Sequence, residues 1–347
     1  MRYKLFGRSG LRVSELALGT MTFGKEWGWG ADKKESRRMF NTFMEAGGNF
    51  IDTANRYTEG TSETYLGEFI RDCRDKVVLA TKYTLYMDKG DPNAAGNHRK
   101  NMVQSLEKSL KRLKTDYVDL YWVHAWDYMT PADEVMRALD DMVRSGKILY
   151  IGISDTPAWI VSKANTIAEL RGWTQFIGLQ IEYSLIERTV ERELLPMARA
   201  FEMAITPWGT IGGGVLTGKY GKSGRRKGRT YRYKKGEGSR RLTDRCLAIG
   251  DEVVKIADEI GCDPAHVALN WVRQQSGLMI PIIGVRTDRQ LRDNLKCLDY
   301  PLLDSHLRHL DDISRVDLGF PHEFLSQEHI RNLIYSFTYD SIDRECF

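Results

Sequence analysis

Short runs of apolar residues recur along the chain, and each is followed by a stretch in which apolar positions have helical spacing. Interpreted as strands, these runs lie near residues 16–19, 49–52, 77–81, 117–123, 148–153, 176–180, 204–207 and 278–283. Strands that are apolar on both faces and alternate with amphipathic helices are typical of parallel sheets covered by helices. Eight such units predict an α/β fold of the (β/α)8 TIM barrel type.

The segments between the runs carry helical patterns with matching ends. Met102, Leu106 and Leu113 share one predicted helix face, and Gly47 and Gly146 suit the ends of helices that lead into the next strand. Ahead of the first strand, the segment Arg8-Ser9-Gly10 predicts the turn of an N-terminal β-hairpin.

The alternative fold is an open doubly wound sheet. The glycine-rich dinucleotide turn of that fold, G-x-G-x-x-G, does not follow the first predicted strand, so we favour the barrel. We expect one domain over residues 1–320, followed by a C-terminal tail of mixed aromatic and charged residues at 321–347.

Composition narrows the class of protein only slightly. The chain has 347 residues, 42% of them hydrophobic and 28% charged, with a net charge of +4, which is ordinary for a folded enzyme or binding module. Its 5 cysteines form no C-x-x-C pair, and neither a signal peptide nor a membrane-spanning run is evident. We therefore expect a cytoplasmic protein with no membrane partner.

Four ionisable residues stand at or just after successive predicted strands. Asp52, Lys82 and His124 each close an apolar run, and Tyr57 lies just beyond the second one. Each residue alone has a structural explanation as a cap, a solvated charge or a packed ring. In a barrel, however, the carboxyl ends of the strands converge on one mouth, where these groups could partner one another.

Together the four side chains suit the protonation of a developing alkoxide. A phenol with a pKa of about 10 is a weak acid at neutral pH, so we expect the Lys82 ammonium to lower the pKa of Tyr57. Asp52 would neutralise and orient the lysine. His124 would hydrogen-bond the carbonyl oxygen and direct it toward Tyr57.

Several further motifs follow these residues in order. They are Asp52-Thr53-Ala54 with Tyr57 and Ser62-Glu63, Ala80-Thr81-Lys82, Val123-His124, Gly152-Ile153-Ser154, Gln180 with Tyr183-Ser184, Pro207-Trp208, Gly213-Gly214-Val215-Leu216-Thr217-Gly218-Lys219-Tyr220 and Ile283-Gly284-Val285-Arg286. The chain thereby resembles the aldo-keto reductase superfamily, and most closely its bacterial and potassium-channel β-subunit-like branch. The resemblance implies that Asp52, Tyr57, Lys82 and His124 form a catalytic tetrad with Tyr57 as the general acid.

The resemblance also implies a binding site for NADPH, with NADH less favoured because Arg286 suits the 2′-phosphate. Ser154 and Gln180 would hold the nicotinamide carboxamide, and Tyr183 would stack on the ring. The complete implied set is Thr20, Met21, Asp52, Ser154, Asp155, Gln180, Tyr183, Trp208, Gly209, Thr210, Ile211, Gly212, Gly213, Lys219, Gly284, Arg286, Gln290, Asp293 and Asn294.

The chain departs from the family pattern at three places. Asp155 replaces the usual asparagine, Gly209-Thr210 replaces serine-proline, and Ala125-Trp126 follows the histidine in place of arginine or asparagine. Aromatic residues in the predicted loops suggest a substrate pocket for an aldehyde or ketone, with Trp27, Tyr86 and Trp126 as its lining and Trp29 and Tyr128 nearby. Loop packing would explain each of these rings equally well.

Residues 222–241 are strongly basic, with 10 lysines and arginines and two tyrosines. Basic residues interleaved with aromatics can bind nucleic acid. The glycines here and the position after the seventh strand instead favour a mobile loop over 221–241 that closes on the phosphates of NADPH, so no nucleic-acid partner is expected.

Two other functions compete with that of a reductase. Proteins like potassium-channel β subunits bind NADPH on the same barrel and serve mainly as regulatory subunits. A metal-dependent hydrolase would need histidine and carboxylate clusters at several strand ends, whereas only His124 is so placed, so no metal site is expected. The complete tetrad favours an enzyme, and the sequence leaves a homo-oligomer open.

Overall fold

The structure is a computed structural model that describes residues 1–220 and 241–343. An antiparallel hairpin of β1 (Tyr3–Leu5) and β2 (Arg12–Ser14) comes first, as predicted. The parallel strands that follow are β3 (Ala17–Gly19), β4 (Phe50–Asp52), β5 (Val78–Tyr83), β6 (Val118–Val123), β7 (Ile148–Ser154), β8 (Phe176–Glu182), β9 (Ala204–Trp208), β10 (Leu278–Met279) and β11 (Ile282–Gly284). Their positions confirm the predicted strands and the fold class.

The sheet closes on itself through its last two segments. Strands β3 to β9 pair in chain order, β10 pairs with β9, and β11 pairs with β3. Only Ile280 and Pro281 separate β10 from β11, and proline has no N–H to give to the ladder. The single strand predicted over 278–283 is therefore split at Pro281, and its two halves together occupy the eighth position of the barrel.

Helices surround the barrel and follow the strands in alternation. They are α1 (Lys33–Glu45), α2 (Thr61–Phe69), α3 (Arg99–Leu113), α4 (Ala132–Arg144), α5 (Ala158–Arg171), α6 (Leu194–Ala200), α7 (Asp244–Ile260), α8 (Pro264–Arg273), α9 (Asp288–Leu295), α10 (Asp304–Ser314), α11 (His322–Ser326) and α12 (Glu328–Ile334). Gly47 and Gly146 follow α1 and α4 with φ angles of 83° and 75°, which confirms the predicted helix ends.

The hairpin closes the N-terminal end of the barrel. Phe6 packs edge-on against Phe50, with ring centroids 5.5 Å apart, and against Trp122 at 6.3 Å. A Cβ at Gly152 would lie 2.3 Å from the Trp122 ring, so glycine is required there to admit the indole. This filled end leaves the opposite mouth of the barrel open for binding.

The chain after α10 lies outside the buried core. Neither α11 nor α12 buries a residue, and His322 contacts Glu193 at 3.0 Å. Within residues 1–220 and 241–343, no helix is both long and apolar enough to span a membrane. The basic loop predicted over 221–241 lies outside the described residues except for Arg241.

Candidate active site

The polar residues predicted at the strand ends meet at one mouth of the barrel. Asp52 ends β4, Lys82 is the second-to-last residue of β5, His124 follows β6 and Ser154 ends β7. A cavity of about 550 Å³ opens between these strand ends. The volume is in the usual range for sites that bind small molecules and cofactors.

The Lys82 ammonium is fully buried and contacts two of the other three residues of the predicted tetrad. Its Nζ lies 2.5 Å from Asp52 Oδ2, 2.9 Å from the backbone oxygen of Thr53 and 3.1 Å from the Tyr57 hydroxyl. An ammonium has three N–H donors, so all three are used. The Tyr57 oxygen accepts one of them, which leaves the phenolic O–H free to donate toward another acceptor.

Asp52 is held from its other side as well. The Gln180 Nε2 group donates to Asp52 Oδ1 over 3.0 Å, so both carboxylate oxygens are hydrogen-bonded. The amide nitrogen of Gln180 is thus engaged within the site, and its carbonyl oxygen is the group that could contact a ligand. This arrangement fixes the lysine that supports Tyr57.

The tyrosine does not have the lowered pKa that the sequence suggested. Burial raises the pKa of the Tyr57 phenol, and the opposing effect of the Lys82 charge is smaller. Burial would also lower the pKa of Lys82, but the Asp52 carboxylate and Tyr57 outweigh it and the pKa of the ammonium is raised. At neutral pH the phenol is therefore protonated beside a charged lysine.

The His124 ring packs edge-on against the Tyr57 ring at the cavity wall, with ring centroids 5.9 Å apart at an angle of 80°. Burial, together with the Lys82 charge, holds the pKa of the imidazole well below its usual value. The ring is therefore neutral at pH 7 and adds no second positive charge to the site.

A strained turn carries Tyr57 into the cavity. Thr58 and Glu59 have φ angles of 47° and 56°, in the left-handed region that costs a non-glycine residue about 1–2 kcal/mol. The Thr58 hydroxyl donates to the Phe23 oxygen over 2.5 Å and holds the turn against the loop after β3. Such strain is characteristic of functional sites.

Most of the residues predicted to bind a cofactor line the same cavity as Asp52, Tyr57 and His124. They are Met21, Ser154, Asp155, Gln180, Trp208, Gly209, Thr210, Ile211, Gly213, Lys219, Gly284, Arg286, Gln290, Asp293 and Asn294. Trp27, predicted for the substrate pocket, also lines it. The structure therefore brings most of the predicted cofactor-binding residues together with the predicted catalytic residues in one space.

Besides the buried Lys82, five residues predicted to bind cofactor or substrate are not part of the cavity wall. Tyr183 is buried, its hydroxyl donates to Glu191 over 2.7 Å and its ring packs on Trp271, so the predicted stacking role does not fit its position. Trp126 packs against the hydrophobic core. The other three are Thr20, Gly212 and Tyr86. Thr20 is buried and its hydroxyl donates to the Asp52 backbone oxygen, and Gly212 is buried. Tyr86 contacts Arg56, which lines the cavity.

Part of the cavity wall has the features of a phosphate site. Gly212, Gly213 and Gly214 have positive φ angles of 58°, 64° and 98°, so their backbone forms a tight turn at the wall that side chains would disfavour. Thr287 caps α9, and its hydroxyl accepts from the Gln290 N–H over 3.2 Å. Lys219 and Arg286 line the same cavity. Glycine turns, a helix N-terminus and cations are suited to a dinucleotide.

Sequence reasoning missed several wall residues, of which Arg56 and Leu85 lie nearest the tetrad in sequence. Arg56 directly precedes Tyr57, and Leu85 closely follows β5. Their adjacency to predicted catalytic residues was the available signal. Among the described residues, no group of three or more His, Cys, Asp or Glu side chains could hold a metal ion.

Comparison with known proteins shows which proteins the chain is similar to. The family model described as "Aldo/keto reductase family" matches residues 15–315. Norsolorinic acid reductase of Aspergillus flavus is 38% identical over 333 residues, which cover 92% of this chain and 83% of the relative. Aryl-alcohol dehydrogenase [NADP(+)] of Phanerodontia chrysosporium is 36% identical over 94% of this chain and 89% of the relative. A putative aryl-alcohol dehydrogenase of Saccharomyces cerevisiae is 36% identical over 92% of this chain and 88% of the relative.

Proposed function

Because the chain belongs to the aldo/keto reductase family, we propose that it is an NADPH-dependent oxidoreductase that reduces an aromatic aldehyde or ketone to the alcohol. The observation that carries the proposal is the contact of 3.1 Å between the buried Lys82 ammonium and the Tyr57 hydroxyl at the wall of a large cavity. The relatives named as reductases and aryl-alcohol dehydrogenases support both the reaction and the aromatic substrate.

The cofactor is proposed to be NADPH rather than NADH. Arg286 and Lys219 line the cavity, Arg286 directly precedes Thr287, the N-cap of α9, and a guanidinium matches the oxygens of a 2′-phosphate. Trp208 lines the cavity where Tyr183 does not, so we assign to Trp208 the aromatic contact with the nicotinamide. When bound, the reduced dinucleotide supplies the hydride for the carbonyl carbon.

The chain's own residues supply the proton and its control. Tyr57 donates its O–H proton to the carbonyl oxygen, and Lys82 stabilises the phenolate that remains through their hydrogen bond. Asp52 keeps Lys82 charged, because an isolated ammonium in this buried position would tend to lose its proton. His124, neutral and on the same cavity, can hydrogen-bond the carbonyl oxygen and orient it.

A regulatory subunit that binds NADPH with little turnover is the alternative. It would share the barrel, the cavity and the cofactor, so turnover alone separates the two functions. The complete tetrad and the names of the relatives favour the enzyme.

Tyr57→Phe tests the proposal, because it removes one hydroxyl and keeps the ring. We expect kcat for aromatic aldehydes to fall by about 10²-fold or more, while NADPH affinity, measured by fluorescence titration, stays unchanged. Tyr3→Phe is the matched control, since the Tyr3 hydroxyl is exposed and bonds only the Gly47 backbone within the part of the chain described. Equal turnover by wild type and Tyr57→Phe would overturn the assignment.

A further inference from the structure

The Arg56 guanidinium forms part of the cavity wall next to the proton donor. Its Nη2 donates to the Tyr86 hydroxyl over 3.0 Å, and its central carbon lies 4.4 Å from the centroid of the Tyr86 ring. The side chain is only 16% exposed. Arg56 is therefore a fixed, planar hydrogen-bond donor at the wall, and the roles proposed for the tetrad do not include it.

The partly exposed Glu59 carboxylate balances the charge of Arg56. Arg56 Nη1 forms an ion pair with Glu59, and Glu59 also accepts from Trp27 Nε1 over 3.0 Å. The left-handed backbone at Thr58 and Glu59 turns the carboxylate back toward Arg56. Among the described residues, Arg56 lines the cavity and Glu59 does not. A bound molecule would therefore contact the guanidinium and not the Glu59 carboxylate.

Two indole rings and an aliphatic side chain add apolar surface to the cavity wall. The rings of Trp27 and Trp29 lie 5.9 Å apart at 40°, and both line the cavity together with Leu85. Indole faces and an aliphatic side chain suit the faces of an aromatic ring. Trp27 bonds Glu59, the partner of Arg56, and Leu85 directly precedes Tyr86, which bonds Arg56. An aromatic substrate packed against Trp27 and Leu85 would therefore lie beside Arg56.

We propose that Arg56, with its charge balanced by Glu59, determines substrate specificity by selecting aromatic carbonyl compounds that carry a neutral oxygen substituent and disfavouring those that carry a carboxylate. The inference rests on the proposed function, which it deepens. A hydroxyl, methoxyl or quinone oxygen accepts a hydrogen bond from Arg56 at a small desolvation cost.

A carboxylate meets three unfavourable conditions in this cavity. Its desolvation is costly unless a free cation pairs with it, and the cation here is already paired with Glu59. The Glu59 carboxylate itself repels a second anion. Asp155, which lines the same cavity, adds a further negative charge whenever it is ionised.

Glu59→Gln gives the sharpest test, because it keeps the shape of the side chain and leaves the charge of Arg56 unbalanced. We would measure kcat/KM for benzaldehyde and for its meta and para methoxy, hydroxy and carboxy derivatives. The variant should raise the preference for carboxy over methoxy substrates by about tenfold relative to wild type, mainly through KM. An unchanged ratio would overturn the inference.

Arg56→Met tests the donor itself. It should lower kcat/KM for the hydroxy and methoxy substrates by about tenfold, the size of one hydrogen bond to a charged group, and leave benzaldehyde nearly unchanged. Equal losses on all substrates would mean that Arg56 only supports the local structure, and the specificity role would be rejected.

Arg38→Met is the matched control, since it breaks an exposed Arg–Glu pair of the same spacing that does not line the cavity. Its substrate ranking should equal that of wild type, which excludes an effect of net charge. Circular dichroism and NADPH titration establish that each variant is folded and binds cofactor. If wild type binds NADPH but reduces none of these aldehydes, the proposed function fails and the inference fails with it, whereas turnover with an unaltered ranking rejects the inference alone.

Discussion

The Asp155 carboxylate illustrates how a single residue changes the chemistry of the cavity. It replaces the asparagine that the family resemblance leads one to expect, and its φ of 41° is a left-handed conformation that both residues tolerate. The Trp208 Nε1 group donates to it over 3.2 Å. Although the residue is accessible from the cavity, desolvation by the surrounding wall raises the pKa of Asp155 to about 6.

This titration predicts a pH dependence of cofactor binding. Asp155 is neutral below about pH 6 and charged above it. In the proposed cofactor complex, only the charged form would attract the cationic ring of the oxidised dinucleotide. Between about pH 5 and about pH 8, the ratio of the Kd for NADP+ to the Kd for NADPH should therefore fall by about tenfold in wild type. Fluorescence and calorimetric titrations would measure both constants. Asp155→Asn should remove the dependence, and an equal dependence in the variant would reject this role.

The sequence placed Asp52, Tyr57, Lys82 and His124 at one mouth of the barrel because each directly closes, or closely follows, an apolar run. The sequence predicted that Tyr183 faces the cofactor, and the alternation of side chains along a strand explains why it does not. Gln180 and Glu182 lie on one face of the chain around the end of β8, and Tyr183 follows on the other face, where it packs on Trp271. Arg56 was missed because its loop conformation depends on left-handed residues that no periodicity reveals.

At the scale of elements, a buried ion pair fixes β5 next to Lys82. Glu63 of α2 is fully buried, accepts from the Thr81 hydroxyl over 2.6 Å and pairs with Arg112 of α3 over 2.6 Å. Thr81 directly precedes Lys82 in β5. This pair therefore ties two helices to the strand that positions the ammonium.

Arg112→Met should destabilise the protein strongly, because it leaves the buried Glu63 carboxylate without its cation. We expect the free energy of unfolding in urea to fall by about 3 kcal/mol. Arg38→Met, which breaks an exposed pair, should change it by less than about 1 kcal/mol. Similar small losses in the two variants would show that the buried pair does not fix this region.

The elements themselves were largely predictable, since parallel barrel strands are apolar on both faces and stand out from the helical pattern. The break between β10 and β11 was not foreseen, although Pro281 stands in the sequence, because an apolar run gives no sign of where the ladder loses its N–H. The short helices α11 and α12 bury no residue, so the sequence contains no apolar periodicity that would predict them.

At the scale of the whole molecule, closure of the barrel brings distant parts of the chain to one cavity. β11 pairs with β3, which places Arg286 and the start of α9 on the same cavity as Tyr57 and His124. The hairpin fills the opposite end through Phe6. Sequence order alone could not show this closure, because the pairing joins residues far apart in the chain.

The most direct test of the account follows the two hydrogen atoms of the reaction. Wild-type protein would be incubated with an aromatic aldehyde and NADPH dideuterated at C4 of the nicotinamide, and the alcohol analysed by mass spectrometry. The account predicts one deuterium on the carbinol carbon, none there when the label is only in the solvent, and almost no alcohol with Tyr57→Phe. Deuterium entering that carbon from solvent, or undiminished product from the variant, would contradict it.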